Sequence, residues 1–190
     1  MANALPQWMV NSFEIADEKF KESKSSSEYY PCYIRLLYHL FGGINGPFEI
    51  HPQYRVPGHP HSSVDVVVTF IVADVKHPVL FIEIKPPTAF DHISTRQRAD
   101  DQIRQRCRGL CNTETRAPNL FAISALGTRL AFYDCDTKDK LVTPLPIKAD
   151  PLFPNDVAPK DLWNHDILKD DGITRMIQVA TDVVAMCNAL

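Results

Sequence analysis

Three side chains on two apolar segments are where chemistry would start. Asp65 opens the run VDVVVTFIVADV, and Glu83 and Lys85 close the run VLFIEIK, with seventeen residues between the two acids. Side chains alternate across a strand, so Glu83 and Lys85 share one face while Leu80, Ile82 and Ile84 share the other. If the two runs pair as a hairpin, the start of one faces the end of the other, and two carboxylates meet an ammonium. A lone carboxylate inside apolar strands is costly, or shifts its pKa until it is neutral. A divalent cation is the natural compensation. Mg²⁺ takes oxygen ligands at about 2.0–2.1 Å and keeps several waters. Asp65, Glu83 and a backbone carbonyl, that of Ile84, would serve it, with Mn²⁺ as a substitute. Such an ion acidifies a coordinated water and steadies charge on phosphorus oxygens. Lys85 would hold the attacking water or neutralise developing negative charge. The bland alternative is a structural ion cluster at a sheet end, an arrangement that rarely repays its desolvation.

The acidic-x-Lys pattern alone says little, since it occurs five times, at Asp17, Glu22, Asp74, Glu83 and Asp136. Only Glu83-Ile-Lys85 ends a buried apolar strand that follows another opened by an acid.

The elements around these residues are legible as changes of period. A front helix is expected from near Pro6, with Trp8, Met9, Phe13, Ala16 and Phe20 as its packed stripe, followed by the polar connector KESKSSSE. A second helix is expected from Ser27 to Phe41, capped by Ser27, with Tyr30, Ile34, Leu37 and Phe41 inward and Gly42-Gly43 as its stop. Glu28, Cys32, Arg35 and His39 would lie on the opposite line. Three strands follow, Phe48 to Tyr54, Val64 to Val75 and Val79 to Lys85, with His77-Pro78 in the turn before the third. The second and third are nearly continuous in apolar residues, as central strands covered on both faces are. A helix from about Ser94 to Leu110, with Ala99, Ile103, Cys107 and Leu110 as core stripe, connects to the strands NLFAISA and TRLAFYDC around Gly127. A helix between two neighbouring strands is a crossover unit. Leu141 to Lys160 is Pro-rich and is expected to wrap the surface without regular structure. Asp171 to Ala189 is a final helix packed through Ile173, Met176, Ile177, Ala180, Val183, Val184 and Cys187.

This order of elements, with Asp65, Glu83 and Lys85 in place, resembles the PD-(D/E)xK nuclease superfamily over roughly Ser27 to Cys135. The resemblance implies an α/β, restriction-endonuclease-like mixed central sheet flanked by helices, here with an extra N-terminal helix and a C-terminal helix. It also implies hydrolysis of phosphodiester bonds, usually of DNA, with Mg²⁺. The family often adds a Glu from its first helix, for which Glu28 is the match, and some members carry a Gln on the helix after the Lys, which Gln102 resembles. Ser63-Val64-Asp65 departs from the family's Pro-Asp. The whole chain is expected to be one domain: an N-terminal extension over 1–23, a nuclease-like core over 27–135, a Pro-rich wrap over 141–160 and a C-terminal helical segment over 161–190.

The helix after the motif suits a nucleic-acid partner. Arg96, Arg98, Arg104, Arg106 and Arg108 crowd it, and Arg98, Gln102 and Arg106, four apart, line one face where guanidinium groups could grip phosphates. An ordinary solvated face, partly neutralised by Asp100 and Asp101, is the competing reading. Glu28 is equally readable as a first-turn carboxylate favoured by the helix dipole, and Gln102 as a solvated side chain. His59-Pro-His61 could hold a transition metal with Asp65; the simpler role is a loop in which His61 touches substrate.

Composition sets the outer limits. One hundred and ninety residues with 45% hydrophobic content suffice for a single core, and a formal charge of −3 excludes a chain built to coat nucleic acid or anionic membrane over its whole surface. Apolar runs fall short of a bilayer span and the start lacks an export signal, so a soluble, intracellular protein of cytoplasm or nucleus is expected, with no membrane partner. The five cysteines form no Cys-x-x-Cys pair and are expected as reduced core residues. Neither a Gly-x-Ser-x-Gly elbow nor a phosphate-cradling Gly loop occurs. A catalytically dead fold that binds nucleic acid or protein, an RNA-directed nuclease, and a homodimer assembled through the C-terminal segments remain as alternatives.

Overall fold

A computed structural model describes residues 5–55, 63–72, 75–111 and 117–190. Its helices are α1 (Gln7–Ser23), α2 (Tyr30–Leu40), α3 (Ile93–Leu110) and α4 (Asp170–Cys187); its strands are β1 (Phe48–Arg55), β2 (Ser63–Val72), β3 (Val75–Lys85), β4 (Asn119–Leu126), β5 (Arg129–Asp136), β6 (Val142–Thr143) and β7 (His165–Asp166). Among the described residues the strands form one open mixed sheet in the order β1-β2-β3-β4-β5-β6, with β7 also pairing β5. Among the described residues only β3 and β4 run parallel. That pairing requires a crossover, and α3 supplies it, as the helical period between the two strands predicts.

Each sheet face has its own helical cover. On one, α1, α2 and α4 bring Met9, Phe13, Leu36, Leu37, Met176 and Val183 against Val66, Ile82, Ile84 and Ile123. On the other, α3 presents Ala99, Ile103, Cys107 and Leu110 to Phe81, Leu120, Ala122 and Leu126, and Trp163 closes the layer. Burying one such large side chain is worth about 1.5–3 kcal/mol, so β3, buried continuously from His77 to Ile84, is held from both sides. All five cysteines are free and buried. Among the described residues no helix is long and apolar enough to cross a membrane.

The structure corrects several expectations. Trp8 is 44% exposed, with the Arg35 guanidinium 4.3 Å from its ring centroid, while Met9, Phe13, Ala16 and Phe20 pack inward as expected. Before α2 a 3₁₀ turn, Ser26–Tyr29, is capped by Ser25 rather than Ser27. This turn sets the phase of the helix: Tyr29, Cys32, Tyr33, Leu36 and Leu37 are buried, and Tyr30 and Ile34 fall on its flank. Cys32 thus leaves the polar line; its thiol lies 3.3 Å from the Ser12 hydroxyl. His77 and Pro78 lie inside β3. Pro78 sits opposite Thr69, where the register shifts, and this irregularity accommodates a residue that lacks an N–H. The Pro-rich segment contributes β6 to the sheet instead of remaining wholly irregular. In α4 Val179 is a buried residue, with Ile177 and Val184 only partly covered.

Two features of α3 and the β4–β5 turn bear on position. Arg96 is 2% exposed and donates to the carbonyls of Ala158 and Phe90 and to Asp156, at 2.8, 2.8 and 2.6 Å. Arg104 forks onto Asp100 at 2.8 and 3.0 Å and reaches the Pro144 carbonyl at 2.8 Å. Both guanidiniums belong to the arginine-rich stretch read as suiting a nucleic-acid partner, and the structure makes them rivets that fasten the Pro-rich segment to the helix. At the turn, Gly127 has φ +63°, and a Cβ there would come within 2.6 Å of Pro87. Its N–H bonds the Lys85 carbonyl at 3.0 Å, and its carbonyl accepts the Tyr33 hydroxyl at 2.6 Å.

Candidate active site

Past the register shift, the β2–β3 ladder is in step from the pair Val68 and Leu80 to the pair Val66 and Ile82. Beyond it the Ile84 N–H is taken up by a side chain: Asp65 Oδ2 accepts it at 2.7 Å. Asp65 Oδ1 accepts the Tyr30 hydroxyl at 2.5 Å. Tyr30 can do this because the 3₁₀ turn rotated it off the buried face of α2. On β1, Gln53 adopts φ +51°, between the pairs that flank Asp65 in the register, Pro52 with Val66 and Tyr54 with Val64. Such left-handed conformations in non-glycine residues persist where surrounding structure enforces them.

Glu83 projects from β3 toward α3. Its Oε2 accepts from Gln102 at 2.7 Å and its Oε1 from Arg106 Nε at 3.3 Å, while Lys85 Nζ stands 3.8 Å from Oε2. Glu83 is 2% exposed, whereas the Lys85 side chain is 32% exposed. The buried carboxyl is pushed up to about 7, first by loss of water and then by the nearby Asp65 charge, against the pull of Lys85 and Arg106. Burial, the bond to Asp65 and the Asp65 and Glu83 charges likewise push the Tyr30 hydroxyl well above its ordinary range. Ser124 neighbours Glu83 in the parallel β3–β4 register; its hydroxyl is fully buried and has no partner among the described residues.

The structure therefore gathers Asp65, Glu83, Lys85, Gln102 and Arg106. Ile84 joins them through its N–H, and because the N–H and carbonyl of a strand residue point to the same edge, its carbonyl faces the Asp65 side as well. Glu28 stands apart in the 3₁₀ turn before α2, half-buried, and its carboxylate has no hydrogen bond or ion pair among the described residues. Arg98 is exposed, with its Nε on the Ser94 carbonyl of its own helix at 3.2 Å, and it lines a cleft shared with Lys85 and Gln102. His59 and His61 lie outside the described residues. His39 and Arg35 are occupied with Trp8, and His51 with Glu49 and Thr69. Tyr30 is the site residue that sequence reasoning missed; only the phase of α2 could have signalled it.

Among the described residues no set of three or more His, Cys, Asp and Glu side chains converges as a metal site. The carboxylate donors at this position are two, and the rest of a hard cation's shell would fall to a backbone carbonyl, waters and substrate oxygens, a division that Mg²⁺ favours. Glu83 is buried and Asp65 is half-buried close enough for its charge to act on Glu83, and a hard cation would relieve that repulsion, so the donor set fits such an ion. No protein-family model, curated protein or solved structure matches the chain, and the reading of the site rests on its geometry.

Proposed function

We propose that this chain is a metal-dependent nuclease with a restriction-endonuclease-like core, hydrolysing phosphodiester bonds of nucleic acid, DNA in the first place. The observation that carries the reading is Glu83: a carboxylate 2% exposed, beside the Asp65 carboxylate, with an ammonium and a guanidinium in reach. A purely structural acid is seldom buried beside a second carboxylate, because the neighbouring charge raises the cost of ionising it. Asp65, Glu83 and the Ile84 carbonyl would hold Mg²⁺ or Mn²⁺, which when bound supplies an acidified water and neutralises charge on phosphorus oxygens.

The chain's own residues divide the remaining work. Lys85 is too far from Glu83 for a hydrogen bond, and its partly exposed ammonium is free to meet a phosphate oxygen or orient water. Gln102 and Arg106 fix the Glu83 carboxylate in one rotamer. Tyr30 does the same for Asp65 from the other sheet face, so that neither acid has to be oriented when substrate arrives.

The test is incubation of purified protein with plasmid, single-stranded DNA and RNA in Mg²⁺, in Mn²⁺ and in EDTA. Metal-dependent cleavage that disappears in Asp65→Asn and Lys85→Ala supports the reading; equal cleavage by wild type and both variants overturns it. One observation favours a second reading, a catalytically silent fold that binds nucleic acid or protein: each carboxylate oxygen of Asp65 and Glu83 already has a donor from the chain. Calorimetric titration with Mg²⁺ separates the two, since a silent fold takes up no metal in an Asp65-dependent way.

A further inference from the structure

Between the end of β3 and the first turns of α3 lies a cleft of about 470 Å³, within the roughly 300–1,000 Å³ of small-ligand sites. Lys85 and Gln102 belong to its wall, so it opens directly beside Glu83. Its inner lining is apolar and preformed: Pro86, Ala89 and Ala99, with Ala89 and Ala99 buried. Thr95 lines it too, but its hydroxyl bonds the carbonyls of Ala89 and His92 at 2.7 and 2.8 Å and so braces the wall. Thr88, His92 and Arg98 form an exposed rim. Arg98 makes no ion pair among the described residues, and the bond from its Nε to Ser94 lays the guanidinium along the helix with its terminal nitrogens unengaged.

The cleft thus has an apolar lining and two cations among its walls, the half-buried Lys85 and the exposed Arg98. That is the charge pattern of one nucleoside with a phosphate on either side: the wall takes the face of a base, and each cation takes a phosphate. A base inside a duplex has both faces stacked and its edge paired, and must be extruded before it can enter such a cleft; a base in a single strand need not be.

We infer that this cleft seats the unpaired nucleoside adjoining the phosphodiester presented to Lys85, which makes single-stranded or locally unpaired nucleic acid the substrate class. The inference rests on the nuclease reading above. Thr88, an exposed rim residue outside the acidic cluster, provides the test, because Thr88→Trp narrows the cleft from its rim while leaving Asp65, Glu83 and Lys85 themselves unchanged.

With Mg²⁺, wild type is expected to cut a single strand at least about tenfold faster than the same sequence in a duplex, and Thr88→Trp to raise KM for the single strand by about tenfold with kcat nearly unchanged. In EDTA, a short single strand carrying 2-aminopurine should change its emission on binding wild type and not on binding Thr88→Trp. Equal rates on single strand and duplex, with Thr88→Trp indistinguishable from wild type, overturn the inference and leave the nuclease standing. Absence of cleavage of any nucleic acid by wild type overturns both.

Discussion

Two lines of arginine run along the same helix and have opposite fates. Arg96 and Arg104 are buried, and their guanidiniums are consumed by carbonyls and carboxylates of the chain itself. Arg98 and Arg106, on the line with Gln102, face the cleft and Glu83. Residue type is identical, and so is the spacing, eight residues within each line. What separates a rivet from a candidate substrate contact is the partner, and each of the buried pair reaches a segment 40 to 62 residues further along.

The largest effect should come from the rivets. Arg104→Ala strands Asp100, a buried carboxylate otherwise held by Arg104 and the Tyr133 hydroxyl, and should cost about 3–5 kcal/mol in denaturant-monitored unfolding. A loss below about 1 kcal/mol would erase the distinction between the two lines.

Next comes Lys85→Ala, expected to lower the cleavage rate by about 10²–10³-fold, the usual price of removing one charge-stabilising donor, with an unfolding midpoint close to wild type. A loss of stability to match the loss of rate would return Lys85 to the structural side.

Glu83 gives a third and smaller effect, read in metal-free buffer. Its folded-state pKa lies above that of the unfolded chain, so the native protein binds the extra proton. Its contribution to stability is then fully present below about pH 4 and is lost as pH rises through about 7. Wild type should lose up to about 3 kcal/mol across that window, and Glu83→Gln should show a flatter profile. Identical profiles would mean that the acid is not desolvated as the structure has it.

Smallest of all, Tyr30→Phe removes one hydrogen bond to Asp65 and should cost about 1 kcal/mol, roughly fivefold to tenfold in cleavage rate; an unaffected rate would remove Tyr30 from the positioning of Asp65.

How far the sequence carried depends on whether the deciding partner was local. The strands β2 to β5 and helix α3 could be anticipated because period and run length are properties of a few consecutive residues. The meeting of Asp65, Glu83 and Lys85 followed from strand alternation and a hairpin; four-residue spacing put Gln102 and Arg106 on one helix face, and the place of Gln102 beside the acids was what the family resemblance implied. The phase of α2 was not legible: Tyr29 and Tyr30 are adjacent aromatics, either could lead an apolar stripe, and a 3₁₀ turn made the choice. Pro78 normally marks a turn, but a register shift across from it absorbed the missing donor. The roles of Arg96 and Arg104 depended on Asp156, Ala158 and Pro144, which no local pattern ties to α3.

The β4–β5 turn joins what the arginine lines keep apart. Gly127 offers its amide to the carbonyl of Lys85, receives the phenol of a core tyrosine, and leaves no room for a methyl group against Pro87. A mutational survey scored for folding and one scored for cleavage should therefore rank the positions of α3 in different orders, yet agree at residue 127. There a single added carbon pushes against Pro87 in a turn whose amide and carbonyl are tied to the last residue of β3 and to Tyr33 of the core, so both readouts feel it.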